Sequence, residues 1–279
     1  MAARHAYRPA TIDTVSDVDP AAVRQLRDML AVVPELHRRR EAALRAPAAR
    51  GSLAALDDRL PDARFVSIYA GQSTSTALDH LNAWQLLLHG PQLPIAAHLT
   101  LLRGALEGAV RCRWHVQADV SSEERVGRAF AARRDDQEER RKFEAAPLEG
   151  GGQPPAQTRG KSAVQRLADL KDPAALRDRE AAGVAMVGFT DTTALMRTYG
   201  HERLYRLASG LAHGGKEWAM AALELTPSAG PPLAPGVRHG IFAMSEPVAI
   251  AMTGVAVEEV RIAVDELVAY RTAPRARRR

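Results

Sequence analysis

PIAAHLTLLRGALEGAVRCRWH, residues 94–115, is the stretch on which the fold turns. Ile95, Leu99, Leu102, Leu106, Val110 and Trp114 recur in it at steps of three or four residues. That period lays apolar side chains along one side of an α-helix. A stripe this long and regular predicts a helix from Pro94 to His115 at the centre of a bundle, with Leu99, Leu102 and Leu106 deep in the core.

Upstream, a helical pattern runs from Asp62 to His89 and is stopped by Gly90-Pro91, after a short element around Leu53 to Leu60. Asp19-Pro20 supplies an N-cap and a first-turn proline for a helix that reaches about Arg45 and carries Val23, Leu26, Leu30, Val33 and Leu36. Pro34 is expected to kink it. Downstream, Ser121 and Glu124 form a capping-box pair opening a helix with Val126 and Phe130 on its apolar side. Its charged continuation from Arg133 to Lys142 reads as a solvated face, with Asp136–Arg140 and Glu138–Lys142 as ion pairs.

Residues 147–160, PLEGGGQPPAQTRG, break the pattern and are expected to form a flexible surface loop. Helices are predicted over 161–170 and 174–182, then from Thr190 to Met220, and finally where Val257, Val260, Val264 and Leu267 share a face. A strand pair is expected only around Ala219 to Leu225 and Val237 to Ala243. The fold class is therefore all-α: a multi-helix bundle with long antiparallel helices and at most a minor β-hairpin. One helical domain, 19–272, is expected between a disordered tail, 1–18, and a basic tail, 273–279.

Composition agrees. Hydrophobic residues make up 46% of the 279, enough for a core, while five Phe, five Tyr and three Trp leave Ala, Leu, Arg and Glu to dominate, a balance suited to helix-on-helix packing. The single cysteine, Cys112, lies in the central helical stretch and reads as a buried or half-buried small side chain. With no signal-like leader and no apolar span of membrane length, a reducing, cytoplasmic setting and no membrane partner are expected. The net charge of +5 permits attraction to nucleic acid, although much of it sits at Arg271, Arg275, Arg277, Arg278 and Arg279, read as a solvated tail.

HERLYRLASGLAHGGKEW, residues 201–218, carries the chemistry. Leu204, Leu207, Leu211 and Trp218 fall on one side of a helix and are expected to face the core. Arg206, Ser209 and His213 fall on roughly the opposite side among Gly210, Ala212 and Gly214, a face suited to close approach by a helix, a subunit or a ligand. Arg103, Glu107 and Arg111 form a ladder at helical spacing, and the first two are placed to support Arg206 or His213 from a neighbouring helix. His80, His89, His98 and His115 form no pair at metal-binding spacing, and neither a phosphate-binding glycine loop nor a nucleophile elbow is present. No metal and no cofactor are expected.

Arg206 and His213, with six residues between them, resemble the R-x(4-6)-H signature of the HEPN superfamily. Arg103 and Glu107, the charged helix after Ser121 and the YRLASGLAHGG segment together look like HEPN-like proteins of actinobacteria over about residues 60–272. The resemblance implies a helical, homodimeric, metal-independent endoribonuclease of toxin or defence type. Its catalytic residues would be Arg206 and His213, with Ser209, Arg103 and Glu107 supporting; its partners would be RNA and an antitoxin or regulatory protein. Active members place a polar residue after the Arg, where this chain has Leu207. The alternative is a non-catalytic helical interaction or regulatory module.

Overall fold

The computed structural model describes residues 19–90, 96–146, 161–185, 187–212, 223–227 and 240–274, with the backbone path alone for 223–227 and 240–244. Ile95, His213, Trp218, the 1–18 tail, the 147–160 loop and Arg275 to Arg279 lie outside the described residues. The helices are α1 (Pro20–Leu30), α2 (Val33–Arg45), α3 (Leu53–Asp57), α4 (Arg64–Leu87), α5 (Ala97–Val116), α6 (Ser122–Ala145), α7 (Ala163–Leu170), α8 (Pro173–Ala181), α9 (Thr192–Thr198), α10 (Glu202–Ala212) and α11 (Glu246–Thr272). Between the last two, β1 (Leu223–Pro227) and β2 (Gly240–Met244) pair antiparallel, Leu223 opposite Met244 and Pro227 opposite Gly240. An all-α bundle with one small hairpin is the architecture, as the helical periodicity predicts.

Helix α5 is the axis. Leu99, Leu102, Leu106 and Val110 are fully buried and Trp114 nearly so. Helix α4 runs antiparallel beside it: Trp84 stacks on His98, His80 meets Gly104, Ser73 and Ala77 meet Gly108, and Tyr69 stacks on His115. On another flank lies α11, whose Ala263 carbonyl accepts from the Cys112 thiol at 3.6 Å and whose Thr253 hydroxyl accepts from Trp84 Nε1 at 3.0 Å. Val260, Val264 and Leu267 of α11 are fully buried. Cys112 is buried too, and burial pushes its thiol pKa up, so the thiolate is suppressed.

A buried polar clasp ties three distant elements together. Arg125 of α6 donates from Nε and Nη2 to the two oxygens of Asp57 in α3 at 2.9 and 2.7 Å, and both side chains are wholly buried. The Tyr270 hydroxyl of α11 donates to Asp57 Oδ2 at 3.0 Å. The remaining Arg125 donors reach the carbonyls of Gln117 and Val120 and the Ser122 hydroxyl. Nothing in the apolar periodicity marks this arginine as interior.

Several local expectations are corrected. The first helix does not kink at Pro34; it breaks at Ala31–Val32, and Pro34 enters the first turn of α2. The ring of Pro34 would meet the carbonyl four residues earlier, and the proline has no N–H to offer it. Ser121 caps α6 by accepting from the Glu124 N–H at 3.1 Å, but the Glu124 carboxylate turns to Arg128 at 2.6 Å. The charged part of α6 pairs as Arg140–Glu144, Arg141–Glu138 and Lys142–Glu139, and it is not solvated all round. Gln137 is buried, and Arg133 lies over the Phe65 ring while reaching Asp62. Arg271 belongs to α11, not to a free tail: it donates to the Ala43 and Ala46 carbonyls that end α2.

Candidate functional site

Helix α10 begins after a turn at Gly200, whose φ of +80° is a left-handed conformation that separates it from α9. The predicted helix from Thr190 is therefore two short ones. Its inner face is also rotated from the expected leucine stripe. Ala208 and Gly210 are the buried positions, and Leu204, Tyr205 and Leu211 are half-buried against the core, while Leu207 is only half-buried. Small side chains let α10 lie close on α5, and the tyrosine, not a leucine, makes the polar contact.

Arg206 points to solvent with 57% of its side chain exposed. Its guanidinium donates to Glu202 Oε1 from Nε and Nη2 at 3.0 and 2.8 Å. Arg197 grips the same carboxylate from the other side at 2.8 and 2.9 Å, and the two arginines hold the Glu202 pKa down at about 2. Arg203 is exposed beside them and Ser209 is half-buried. The outer face of α10 thus carries Arg203, Arg206 and Glu202, with Arg197 of α9 beside them. His213 follows directly after the last described residue of α10.

Arg103 and Glu107 pair along α5 at 2.7 Å, as their spacing predicts. They brace α10 through Tyr205, not through Arg206: the Arg103 guanidinium lies 5.2 Å from the Tyr205 ring centroid. Burial, then the Glu107 charge, pushes the Tyr205 phenol pKa up. Arg111 leaves the predicted ladder, donating to the Thr192 hydroxyl at 2.5 Å and lying over the Phe189 ring.

A second polar cluster has no counterpart in the sequence reading. Arg113 of α5 donates from Nη1 to Glu259 Oε1 at 2.6 Å and from Nε to Glu266 Oε1 at 3.2 Å. The other Glu259 oxygen lies 2.9 Å from His201 Nε2, and the Tyr199 ring stacks 4.5 Å from the Arg113 guanidinium. Burial raises the Glu259 pKa, but His201 and Arg113 outweigh it and the carboxyl is held below its ordinary value. Glu266 goes the other way. Burial, followed by the charges of Glu259 and Asp119, pushes it up against the pull of Arg113. Burial also moves the Tyr199 phenol up to about 12. The one available signal was Glu259 and Glu266, seven residues and so two helical turns apart on one side of α11.

His98 and His115 are buried against aromatic rings and do not face each other as ligands. Among the described residues, no group of three or more His, Cys, Asp or Glu side chains is arranged to hold a metal ion, and no helix is long and apolar enough to cross a membrane. His115 lies between the Tyr69 and Trp114 rings with Nδ1 unpaired, and burial, then Arg111 and Arg128, push its pKa down to about 3. It is therefore neutral in the folded chain and charged in the unfolded chain below its ordinary value of 6.5. Its contribution is complete above that value and is lost as pH falls from there toward about 3, at about 1.4 kcal/mol per pH unit. Urea unfolding of His115→Phe should show a shallower loss of stability on acidification than wild type. Identical losses would assign the acid sensitivity elsewhere.

Comparison with protein-family models, curated proteins and solved structures gave no match, so the HEPN resemblance rests on the residues quoted for it.

Proposed function

We propose that the outer face of α10 acts on RNA, and that the chain is a HEPN-like, metal-independent endoribonuclease of toxin or defence type. The observation that carries this is the setting of Arg206: a solvent-facing guanidinium on a face with Arg197 and Arg203, opposed only by Glu202 among the described side chains of that face. An exposed helical ion pair contributes little net stability, so Arg206 can exchange Glu202 for a phosphate at little cost. A guanidinium binds phosphate through two parallel N–H donors.

His213, seven residues on, would take the proton from a ribose 2′-hydroxyl. The 2′-oxygen then bonds to phosphorus, the bond to the 5′-oxygen breaks, and that oxygen takes a proton from water while His213 returns its own to solvent. Arg206 would stabilise the negative charge that gathers on the phosphate oxygens during the exchange. Ser209 lies between the two in sequence, and Arg103 with Glu107 keeps α10 in place through Tyr205. A homodimer and an antitoxin or regulatory partner belong to the same proposal.

The second reading is a helical regulatory module without catalysis, favoured by Leu207 in the place of a polar residue and by the carboxylate that occupies Arg206. RNA cleavage by purified wild type, Arg206→Ala and His213→Ala, with and without EDTA, separates the two.

A further inference from the structure

A cavity of 580 Å³ opens where the last turns of α11 meet the turn after α5. Leu53, Val116 and Ala269 form its apolar wall, and Tyr199, Glu266 and Asp119 contribute its polar side. That volume is in the range that holds a small organic molecule. Arg113 also lines it, but this guanidinium is already committed: two donors go to Glu259 and Glu266, and one face is covered by Tyr199. The charged side chains that line the cavity are thus one guanidinium, Arg113, and two carboxylates, Glu266 and Asp119. With both carboxylates ionised, the lining carries one net negative charge.

We propose that this cavity binds a small organic cation, with an ammonium head between Glu266 and Asp119 and an apolar body along Leu53, Val116 and Ala269. An anion would meet the carboxylates, and Arg113 is already paired with Glu259 and Glu266. A neutral molecule would gain the apolar wall and leave the charge as it was. An ammonium group gains both, and low-dielectric walls strengthen its attraction to the carboxylates. The groups facing Glu266 are Arg113 from α5, Asp119 from the following turn, Tyr199 from the α9–α10 turn and Glu259 on its own helix. Three of these disfavour or fail to favour its charge, and burial opposes it as well. An arriving cation favours the ionised carboxyl and offsets the upward push of burial on Glu266, so binding should tighten as pH rises through the range in which that carboxyl ionises. The site is separate from the outer face of α10 and does not depend on the ribonuclease reading.

The test is calorimetric titration of the full chain with three probes of one shape: phenethylamine, phenethyl alcohol and phenylacetate. The amine is expected to bind about tenfold more tightly than the alcohol, and the acetate more weakly than either. Asp119→Asn changes an exposed rim residue and should leave the fold intact; Glu266→Gln keeps the shape of the inner carboxyl. Each should lower amine affinity about tenfold and leave alcohol affinity alone. Equal binding of all three probes, tightest binding of the acetate, no binding at about millimolar concentration, or full amine affinity in both variants would overturn the proposal.

Discussion

Asp57→Ala is expected to destabilise the chain by about 3–5 kcal/mol, because it strands a buried guanidinium. Arg125 is wholly buried, and both oxygens of Asp57 serve it while one also accepts from Tyr270. Removing the carboxylate leaves a charge with no water to solvate it and a phenol without its acceptor. Burial and the Asp57 charge already push the Tyr270 phenol pKa up, so the tyrosine stays neutral and cannot compensate. Asp57→Asn should fare little better, since it keeps the shape and loses the charge. Replacing both partners by apolar residues, Asp57→Leu with Arg125→Met, should recover much of the loss. Urea unfolding measures all three. A cost below about 1 kcal/mol for Asp57→Ala would mean that α3, α6 and α11 are held by packing alone.

The second large effect is expected from Gly108→Ala. In an exposed helix this exchange normally stabilises, by about 1 kcal/mol. Here the sign should reverse. A Cβ at Gly108 would lie 2.4 Å from the Ser73 carbonyl oxygen and 2.9 Å from the Ala77 backbone nitrogen, both in α4. Backbone cannot rotate away, so α4 and α5 must separate, and overpacking of this kind costs about 1–3 kcal/mol. Gly104→Ala is the control. Its Cβ would meet the ring of His80, a side chain that can turn, so a smaller loss is expected. Thermal unfolding of the two variants side by side decides it, and equal melting temperatures would show that the helix contact is not set by Gly108.

The helical architecture was legible because Leu99, Leu102, Leu106 and Val110 announce their period without interruption and bury as that period requires. Asp19, Ser121 and the hairpin near residue 225 were legible for a similar reason: caps and turns are local. What escaped was tertiary. Arg125 is a charged residue next to the apolar side of its helix, and only Asp57, sixty-eight residues away, explains its burial. The cluster of Arg113, Tyr199, His201, Glu259 and Glu266 is likewise assembled from three regions of the chain. On α10 the period itself was right, but the face was rotated, because Ala208 and Gly210 allow a closer approach than leucines would. Arg206 was correctly placed on the outer side. Its partner Glu202, one helical turn earlier, stands at i, i+4 spacing in the sequence.

The measurement that bears most directly on the proposed function is cleavage of single-stranded RNA by wild type and His213→Ala in the presence of EDTA. Wild type should cleave, with a rate that follows the ionisation of a histidine and is indifferent to chelation. His213→Ala should lose at least about a hundredfold in rate while keeping the wild-type unfolding curve, since removing a general base costs catalysis and not packing. Arg206→Ala should lose activity with a different signature, a weaker response to RNA concentration together with a slower step. Wild-type protein that does not cleave RNA, or a His213→Ala variant that cleaves at the wild-type rate, would contradict the ribonuclease reading and leave the regulatory module in its place.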